Sequence, residues 1–264
     1  MKFWQVDAFT KEPFKGNPAA VFVLEEEISD ELMQNIAIEM NLAETAFVLL
    51  RKNQNPLIRW FTTTAEIDLC GHATLASSHI YFTEFFPNEP SVTFSTKWVG
   101  DLIIKNEQNK YVMDFPLWPG EEKQIQDLPL KTLDALSPIK PVKAFQHRDL
   151  MLIYEDEKVI REMHPDMNAL LDYKAGIIVT SLTEDPDYDF ISRSFWADNT
   201  PQEDPVTGSA HCMLAPYWSK QLNKQNMNAW QASPRGGALK LDIEQDRLLI
   251  TGDAITVLKG EMCL

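Results

Sequence analysis

Two glycine-led segments of this chain place polar side chains at the start of an apolar, helix-forming stretch. The first is residues 66–76, Glu-Ile-Asp-Leu-Cys-Gly-His-Ala-Thr-Leu-Ala, and the second is residues 203–211, Glu-Asp-Pro-Val-Thr-Gly-Ser-Ala-His. A glycine at a helix start leaves backbone N–H groups accessible and lets a ligand come close to the chain. Because helix N-termini attract anions, we predict that Gly71 and Gly208 begin helices that bind carboxylate oxygens.

These two segments belong to a longer repeat. A strand-like stretch with an arginine precedes each of them, Arg59-Trp-Phe in the first copy and Arg193-Ser-Phe in the second, at an offset close to half of the 264 residues. Solenoid repeats have periods of roughly 20–50 residues, so an offset of this size indicates two duplicated domains. We expect the two arginines to form structural ion pairs, and the two helix starts to face one cleft between the domains.

Glu44 is the carboxylate whose neighbours best suit acid–base chemistry. It lies in Asn-Leu-Ala-Glu-Thr-Ala-Phe-Val, at the mouth of an apolar strand. Apolar neighbours solvate a carboxylate poorly, which suits a base that must take up and release a proton. A glutamate at the end of an element can also simply accept backbone hydrogen bonds, and the local pattern leaves both interpretations open.

Other polar residues near the two helix starts form a second group of candidates. His72 and His211 lie at or just after those starts. Asp204 precedes a proline in a rigid loop, where it is either a loop-stabilising acceptor or a second acid/base. Cys70 stands directly before the first glycine, but no third ligand has metal-binding spacing, so we predict no metal site.

The elements that must position these residues indicate an α+β fold. Short strands alternate with turn residues in both halves, an amphipathic helix is predicted after Ser29, and residues 160–173 are its predicted counterpart. We predict two similar domains related by pseudo-twofold symmetry, each an antiparallel, barrel-like sheet around a buried helix. A proline-rich linker beginning at Pro116 gives an N-terminal barrel domain over residues 1–116 and a C-terminal barrel domain over residues 117–264.

Composition excludes several classes of function. The formal net charge is −15, and a nucleic-acid or anionic-membrane surface requires clustered Lys and Arg, so neither partner is expected. An apolar run of about 18 residues, the length needed for a membrane span, is absent from the sequence. The three cysteines are widely spaced and odd in number, which favours reducing conditions and a cytoplasmic location.

Three motifs together resemble the phenazine-biosynthesis-like (PhzF-type) isomerase family. They are Asn-Leu-Ala-Glu44-Thr, residues 61–76 and residues 203–211, which occur in the family's order and at its spacing. Residues 231–237, Gln-Ala-Ser-Pro-Arg-Gly-Gly, are similar to that family as well. The resemblance covers essentially the whole chain.

Two positions depart from the family's pattern. Thr64 stands where the family usually has proline, and residues 198–202 replace the usual Gly-Ile before Glu-Asp-Pro. Both fall in loops expected to face the cleft. The departures therefore bear on which substrate is bound more than on the chemistry.

The resemblance implies the two-domain fold of diaminopimelate epimerase and catalysis without a metal or organic cofactor. Glu44 is implied to move a proton between carbons of a conjugated carboxylic acid, with His72, Asp204 and Ser209 lining the cleft. The backbone N–H groups of the two helix-start glycines are implied to hold substrate oxygens. The family is typically dimeric, so a homodimer with a small-molecule carboxylate substrate is expected.

Two alternatives remain open. A two-thiol racemase or epimerase of an amino acid needs a cysteine from each half. Cys70 is in place, but residues 205–207 of the second repeat contain no cysteine, and Cys212 lies past the helix start. A non-enzymatic binding or scaffold protein could use the same fold, because fold alone does not establish activity. Convergence of the candidate acid–base residues on one pocket would favour an enzyme.

Overall fold

The computed structural model describes residues 1–197 and 202–263, which form two compact units. The first unit comprises Met1–Asp114 together with the chain from Ile250 onward, and the second comprises Phe115–Leu249. Residues 198–201, which make up most of the second departure from the family pattern, lie outside the described part of the chain.

Strands supply most of the regular structure. In chain order they are β1 (Lys2–Ala8), β2 (Asn17–Leu24), β3 (Glu44–Leu49), β4 (Leu57–Phe61), β5 (Glu66–Ile67), β6 (Ser91–Ser95), β7 (Asp101–Glu107), β8 (Lys110–Pro116), β9 (Glu121–Lys123), β10 (Lys143–Gln146), β11 (Leu150–Ile153), β12 (Ile177–Leu182), β13 (Phe190–Phe195), β14 (Glu203–Asp204), β15 (Asn226–Gln231), β16 (Gly237–Glu244), β17 (Arg247–Gly252) and β18 (Ala254–Glu261).

Helices are fewer, and the fold is α+β as predicted. They are α1 (Asp30–Met40), α2 (Gly71–Ile80), α3 (Leu130–Leu136), α4 (Glu157–Arg161), α5 (Met167–Leu170) and α6 (His211–Leu222), with a π-helical turn at Tyr81–Phe85 and a 3₁₀ turn at Ile125–Asp127. Within the described residues, every helix is too short or too polar to cross a bilayer.

Each unit has the same order of strand pairing. In the first unit β1–β2 is antiparallel, β2–β3 parallel, β3–β4 and β4–β5 antiparallel, and β4–β6 parallel. In the second unit β10–β11, β11–β12, β12–β13, β13–β14 and β13–β15 follow the same order. The repeat in the sequence is therefore also a repeat in topology. The predicted antiparallel sheets contain parallel pairs, because helical connections carry the chain back between strands.

The C-terminal segment belongs to the first unit, which differs from the predicted division at residues 116 and 117. The reason is that β18 pairs antiparallel with β1, from Lys2 opposite Glu261 to Ala8 opposite Ala254. A pairing between the two ends of the chain has no local signature in the sequence, so the linker prolines alone could not reveal it.

Helix α1 forms where the sequence pattern predicts it. The Ser29 hydroxyl accepts a hydrogen bond from the N–H of Leu32 and caps the helix, and Asn41 ends it in the left-handed conformation at φ 50°. The counterpart predicted over residues 160–173 is instead two short helices, α4 and α5. Pro165 lies between them, and proline removes the N–H that a continuous helix would need.

Helix α2 is buried on nearly every side, as predicted. Its residues from His72 to Ser78 are all buried. The hydroxyls of Thr74, Ser77 and Ser78 donate to backbone carbonyls one turn earlier, at 2.6, 2.7 and 2.8 Å. Those bonds satisfy polar groups that would otherwise be costly to bury, so a helix rich in Ser and Thr can occupy a core.

Both repeat arginines form ion pairs, which confirms the structural role expected of them. Arg59 on β4 contacts Glu66 on β5 at 2.6 Å, and Arg193 on β13 contacts Glu203 on β14 at 2.7 Å. Arg193 also donates to the backbone carbonyls of residues 160 and 163, at 3.0 and 2.6 Å. Each arginine therefore fixes the acidic segment that leads to a glycine.

Candidate functional site

Glu44 and His72 come together within the first unit. Glu44 is the first residue of β3, opposite Ala19 of β2, and His72 is the second residue of α2. Nε2 of His72 lies 3.1 Å from Oε2 of Glu44, and the two side chains are 6% and 18% exposed. A parallel strand pair and a buried helix thus place two predicted site residues in one mostly buried contact.

Asn17 and Cys70 complete the surroundings of the His72 ring. Nδ1 of His72 lies 3.1 Å from Nδ2 of Asn17 and 3.5 Å from Sγ of Cys70. A side-chain amide can present either its N–H or its oxygen to a ring nitrogen, so Asn17 can accompany either charge state of the imidazole. Sequence reasoning did not single out Asn17, and the structure makes it the first residue of β2.

Neighbouring groups control the ionisation of His72 and Cys70. Burial alone would lower the pKa of His72, but the sulfur of Cys70 and the carboxylate of Glu44 raise it by more, so this pKa is well above its ordinary value. Burial raises the pKa of the Cys70 thiol, and the Glu44 carboxylate adds to that rise. The protonated imidazole of His72 is therefore favoured, and the Cys70 thiol loses its proton less readily than a free cysteine does.

Oε2 of Glu44 has unused capacity to accept a proton. It is buried and receives no aligned hydrogen bond from any residue that the structure describes. Its contact with Nε2 of His72 is close enough for charge attraction but is not aligned as a hydrogen bond. A buried carboxylate oxygen without a donor is uncommon, and its lone pairs remain available to a bound ligand.

Gly71 begins α2, as predicted. Cys70 occupies the cap position, and no side chain of the described residues caps the first turn. The first N–H groups of a helix have no partner within the helix itself. The start of α2, adjacent to His72, therefore presents backbone donors that suit an anion.

Gly208 does not begin its helix, and that prediction is wrong by about one turn. Helix α6 starts at His211, and residues 208–210 form a turn before it. In this turn the carbonyls of Gly208 and Ser209 accept from the N–H groups of His211 and Cys212, at 3.0 and 3.1 Å. This spacing is tighter than that of an α-helix, so the chain enters α6 through a short 3₁₀-like turn.

Asp204 is held in a hydrogen-bonded turn of the second unit. The hydroxyl of Thr207 donates to Oδ2 of Asp204 at 2.6 Å. The side chain of Gln231, which is fully buried, accepts from the N–H of Thr207 and donates to the carbonyl of Asp204, both at 2.7 Å. The loop-stabilising role considered for Asp204 is thus observed, and its acid–base role stays a prediction.

His211 has a structural setting. It is fully buried, and its Nδ1 lies 2.8 Å from the carbonyl oxygen of Thr207. Burial lowers the pKa of His211 to about 4, although the hydrogen bond to Thr207 opposes this in part. The ring is therefore neutral at neutral pH.

Arg148 is a neighbour of Ser209 that sequence reasoning missed. Its Nη2 donates to the Ser209 hydroxyl oxygen at 3.0 Å, across a separation of 61 residues. No motif or spacing joins these two residues, so only the folded chain reveals the contact. Ser209, which was predicted to line the site, thus lies beside a guanidinium group.

Glu44, Cys70 and His72 are the one set of side chains, among the described residues, that could supply metal ligands. Their ligand atoms all lie within 4.8 Å of one another. The sequence suggested no third ligand, and folding supplies one because β3 carries Glu44 to the start of α2. The absence of a metal cofactor stays a prediction.

Comparison with known proteins gives one consistent family. The family profile described as "Phenazine biosynthesis-like protein" matches residues 6–260. An uncharacterized isomerase of Halalkalibacterium halodurans is 44% identical over 264 residues, which cover 98% of this chain and 97% of that protein. The crystal structure of a PhzF-family phenazine biosynthesis protein from Enterococcus faecalis is similar at a TM-score of 0.93 and 42% identity, covering 100% of this chain and 99% of that chain.

A more distant structure shares the fold alone. A probable proline racemase from Agrobacterium radiobacter has a TM-score of 0.62 at 8% identity, with 100% of this chain and 93% of that chain covered.

Proposed function

This chain belongs to the phenazine biosynthesis-like (PhzF-type) protein family, and from that premise we propose that it moves a proton between two carbons of a small carboxylic acid. It is an isomerase, the class to which its relatives are assigned. In the proposed reaction Glu44 is the acid–base group, and neither a metal nor an organic cofactor takes part.

One observation carries this proposal. Oε2 of Glu44 is buried, has no aligned donor among the described residues and lies 3.1 Å from Nε2 of His72. The His72 imidazolium would stabilise negative charge on the carboxylate. A proton-transfer base needs lone pairs that are free to take up a proton, and the 18% exposure of the Glu44 side chain leaves a way for a substrate to reach its carboxyl group.

The proposed step conserves every atom. Glu44 removes a proton from one carbon, and the electron pair of the broken C–H bond enters the conjugated system that ends in the substrate carboxylate. Protonated Glu44 then gives the proton to a different carbon, which shifts the double bond and regenerates the carboxylate. Backbone N–H groups at the start of α2 would stabilise the negative charge that develops on the substrate oxygens.

The remaining site residues have proposed roles in the same reaction. Gly71 and Gly208 would hold substrate oxygens through their backbone N–H groups. Asp204 would act as a second acid/base and Ser209 as a hydrogen-bonding group. Since Asp204 accepts a hydrogen bond from Thr207 at 2.6 Å, its carboxylate orientation is fixed before any substrate arrives.

The two-thiol alternative has less support. It requires one thiolate that removes a proton from one face of the substrate and one thiol that returns a proton to the other face, and burial raises the pKa of both Cys70 and Cys212, in Cys212 to about 12. A protonated thiol is a poor base at neutral pH. The non-enzymatic alternative is set aside because the chain belongs to a family of isomerases.

Deuterium exchange tests the proposal directly. The protein is incubated in heavy water with a panel of small unsaturated carboxylic acids, and mass spectrometry detects deuterium uptake at carbon. Glu44→Gln keeps the size of the side chain but cannot accept a proton, so exchange should fall by roughly 10²–10⁴-fold.

A matched control is Glu39→Gln, which changes an exposed glutamate on α1 in the same unit. It should exchange like the wild type. Equal exchange by Glu44→Gln and the wild type, on an acid that the wild type labels, would refute the assignment of Glu44. No labelling of any acid in the panel would count against the proposed reaction.

The proposed partner is a small carboxylate, and the proposed assembly is a homodimer. A cytoplasmic location is also proposed, because Cys70, Cys212 and Cys263 are all free thiols and unpaired cysteines are typical of reducing compartments.

A further inference from the structure

Arg148 is held firmly by its own neighbour. Its Nε and Nη2 both donate to Oδ2 of Asp149, at 2.9 and 2.6 Å, and the Asp149 side chain is 3% exposed. A buried carboxylate of this kind fixes the plane of the guanidinium. Nη2 also reaches the hydroxyl oxygen of Ser209 at 3.0 Å.

Trp118 supports the same guanidinium from one face. Cζ of Arg148 lies 5.1 Å from the centre of the Trp118 ring, a cation–π contact. The ring of His147 also stacks on Trp118, with centroids 5.7 Å apart and planes 6° from parallel. The orientation of Arg148 is therefore fixed by a carboxylate at one edge and an aromatic ring at one face.

A proline inside α6 fixes the position of Trp118. Pro216 has no N–H, so the carbonyl of Cys212, four residues earlier, lacks its usual partner within the helix. The backbone N–H of Trp118 donates to this carbonyl at 2.8 Å. The missing helical hydrogen bond is thus replaced by one that attaches Trp118 to the first turn of α6, close to Ser209.

Two donors remain free for a ligand. Nη1 of Arg148 has no partner among the described residues, and the side chain is 44% exposed. The Ser209 oxygen accepts from Arg148, so its own O–H can still donate. The two oxygens of one carboxylate could accept from these two groups, one from the guanidinium N–H and the other from the hydroxyl.

We propose that Arg148, Ser209 and Trp118 form a carboxylate subsite, in which Nη1 of Arg148 and the Ser209 hydroxyl bind a carboxylate of the substrate. Calling the ligand a substrate rests on the proposed function. The binding of a carboxylate at this place does not rest on it, and binding can be measured without knowing the reaction.

Acetate is the probe, with the neutral isostere acetamide as its control. The indole N–H signal of Trp118 in a proton–nitrogen NMR spectrum is assigned by its loss in Trp118→Phe. Acetate, titrated at constant pH and ionic strength, should move that signal to saturation because it binds next to the ring. Acetamide has the same shape without the charge and should not.

Single substitutions distinguish acetate binding at this subsite from a general effect of surface charge on acetate binding. Arg148→Met should weaken acetate binding by about tenfold to a hundredfold, as expected when a charge-assisted hydrogen bond is lost. Arg161→Met is the matched control, since Arg161 is a similarly exposed arginine paired with Glu157 in the same unit. It should bind acetate like the wild type. Ser209→Ala, which leaves Arg148 intact, should weaken binding severalfold.

Three outcomes would overturn the subsite: no saturable movement with acetate, equal effects of acetate and acetamide, or unchanged binding in both Arg148→Met and Ser209→Ala. If Arg148→Met does not fold, Arg148→Lys serves in its place, because a single ammonium cannot bind Asp149, Ser209 and a ligand in the planar arrangement of a guanidinium and should bind acetate more weakly. Loss of exchange in Glu44→Gln together with normal acetate binding in both Arg148→Met and Ser209→Ala would reject the subsite and leave the proposed function standing.

Discussion

At the scale of single residues, the buried pair of Glu44 and His72 determines the charge available for chemistry. The imidazolium and the carboxylate stabilise each other at a separation of 3.1 Å. Cys70 adjoins the pair, and burial raises the pKa of its thiol. Glu44 is the proposed base of the group, and its carboxylate also contributes to the raised pKa of the Cys70 thiol.

The prediction at this scale compares how much exchange activity is lost when Cys70 or Glu44 is replaced. Cys70→Ser should retain most of the exchange activity, because a neutral hydroxyl replaces a neutral thiol of similar size. Glu44→Gln should lose nearly all of it. Rates of deuterium uptake on the same acid measure both, with Cys263→Ser, which changes an exposed cysteine, as the control. The reverse ranking would favour the two-thiol mechanism.

Sequence reasoning named candidate residues more readily than it predicted the contacts between them. Glu44, His72 and Gly71 were named as candidates because each stands in a local motif. The link between Arg148 and Ser209 was missed because it spans 61 residues and depends on how Trp118 attaches to α6. Side-chain contacts of this kind are set by packing between elements, on which a local pattern carries no information.

At the scale of elements, each repeat arginine joins two strands and anchors the acidic segment that follows. The two ion pairs are equivalent in the repeat but differ in their surroundings. The Arg193 side chain is 7% exposed and satisfies two backbone carbonyls as well as Glu203. Glu66, the partner of Arg59, has a second cation in Lys97 at 3.1 Å.

Because of these different surroundings, replacing the two arginines by methionine should lower the free energy of unfolding by different amounts. Arg193→Met leaves a carboxylate and two carbonyls without their donor, so the free energy of unfolding should fall by about 3–5 kcal/mol. Arg59→Met should cost less, about 1–2 kcal/mol, because Lys97 remains beside Glu66. Urea unfolding of the two variants compares them directly. Equal losses would mean that the carbonyl contacts of Arg193 contribute little.

The ends of a helix matched the prediction where the capping residue and the apolar periodicity of the sequence agree, as in α1. They departed from it at α6, where Gly208 precedes the helix by a tight turn, and at Pro165, which divides the expected helix into α4 and α5. A glycine or proline signals that the chain changes direction, but which turn it adopts depends on the hydrogen bonds that its neighbours make.

At the scale of the whole molecule, each unit repeats one strand order, and in the first unit a partly buried histidine joins a helix to two strands. His79 of α2 contacts the Tyr111 hydroxyl at 3.0 Å and the Thr256 hydroxyl at 3.1 Å. Burial lowers the pKa of His79 and of His211 to about 4. Both rings are neutral in the folded protein at pH values where the unfolded chain would already bind protons.

This difference predicts a loss of stability in mild acid. A histidine with a lowered folded-state pKa contributes its full stability above the unfolded value of 6.5 and loses it as the pH falls toward about 4. For the fully buried His211 the loss amounts to about 3 kcal/mol. The pH dependence that His72 contributes runs in the opposite direction. Its folded-state pKa is raised, so its contribution to stability is lost as the pH rises from 6.5 through that raised pKa.

Urea unfolding at a series of pH values measures this dependence. His79→Gln should be less sensitive than the wild type between pH 6.5 and about 4, since glutamine does not titrate. His164→Gln, which changes an exposed histidine, should keep the wild-type dependence. Identical pH curves for the wild type and His79→Gln would contradict the prediction for His79.

The duplicated architecture could be predicted because the repeat offset is close to half the chain. The return of β18 to β1 could not, because it joins the two ends of the chain and is independent of the repeat. The predicted homodimer and the pseudo-twofold arrangement of the two units stay predictions.

The carbonyl oxygen of Cys212 can accept a hydrogen bond either from residue 216 within α6 or from the N–H of Trp118, and Pro216 leaves it to Trp118. A residue with an N–H at that position would draw the Cys212 carbonyl back into the helix, and a proline inside a helix costs about 3 kcal/mol. The same carbonyl is the acceptor that keeps Trp118 beneath Arg148. For a protein engineer, Pro216 is therefore a position where a routine stabilising substitution would exchange the arrangement of the proposed carboxylate subsite for thermal robustness.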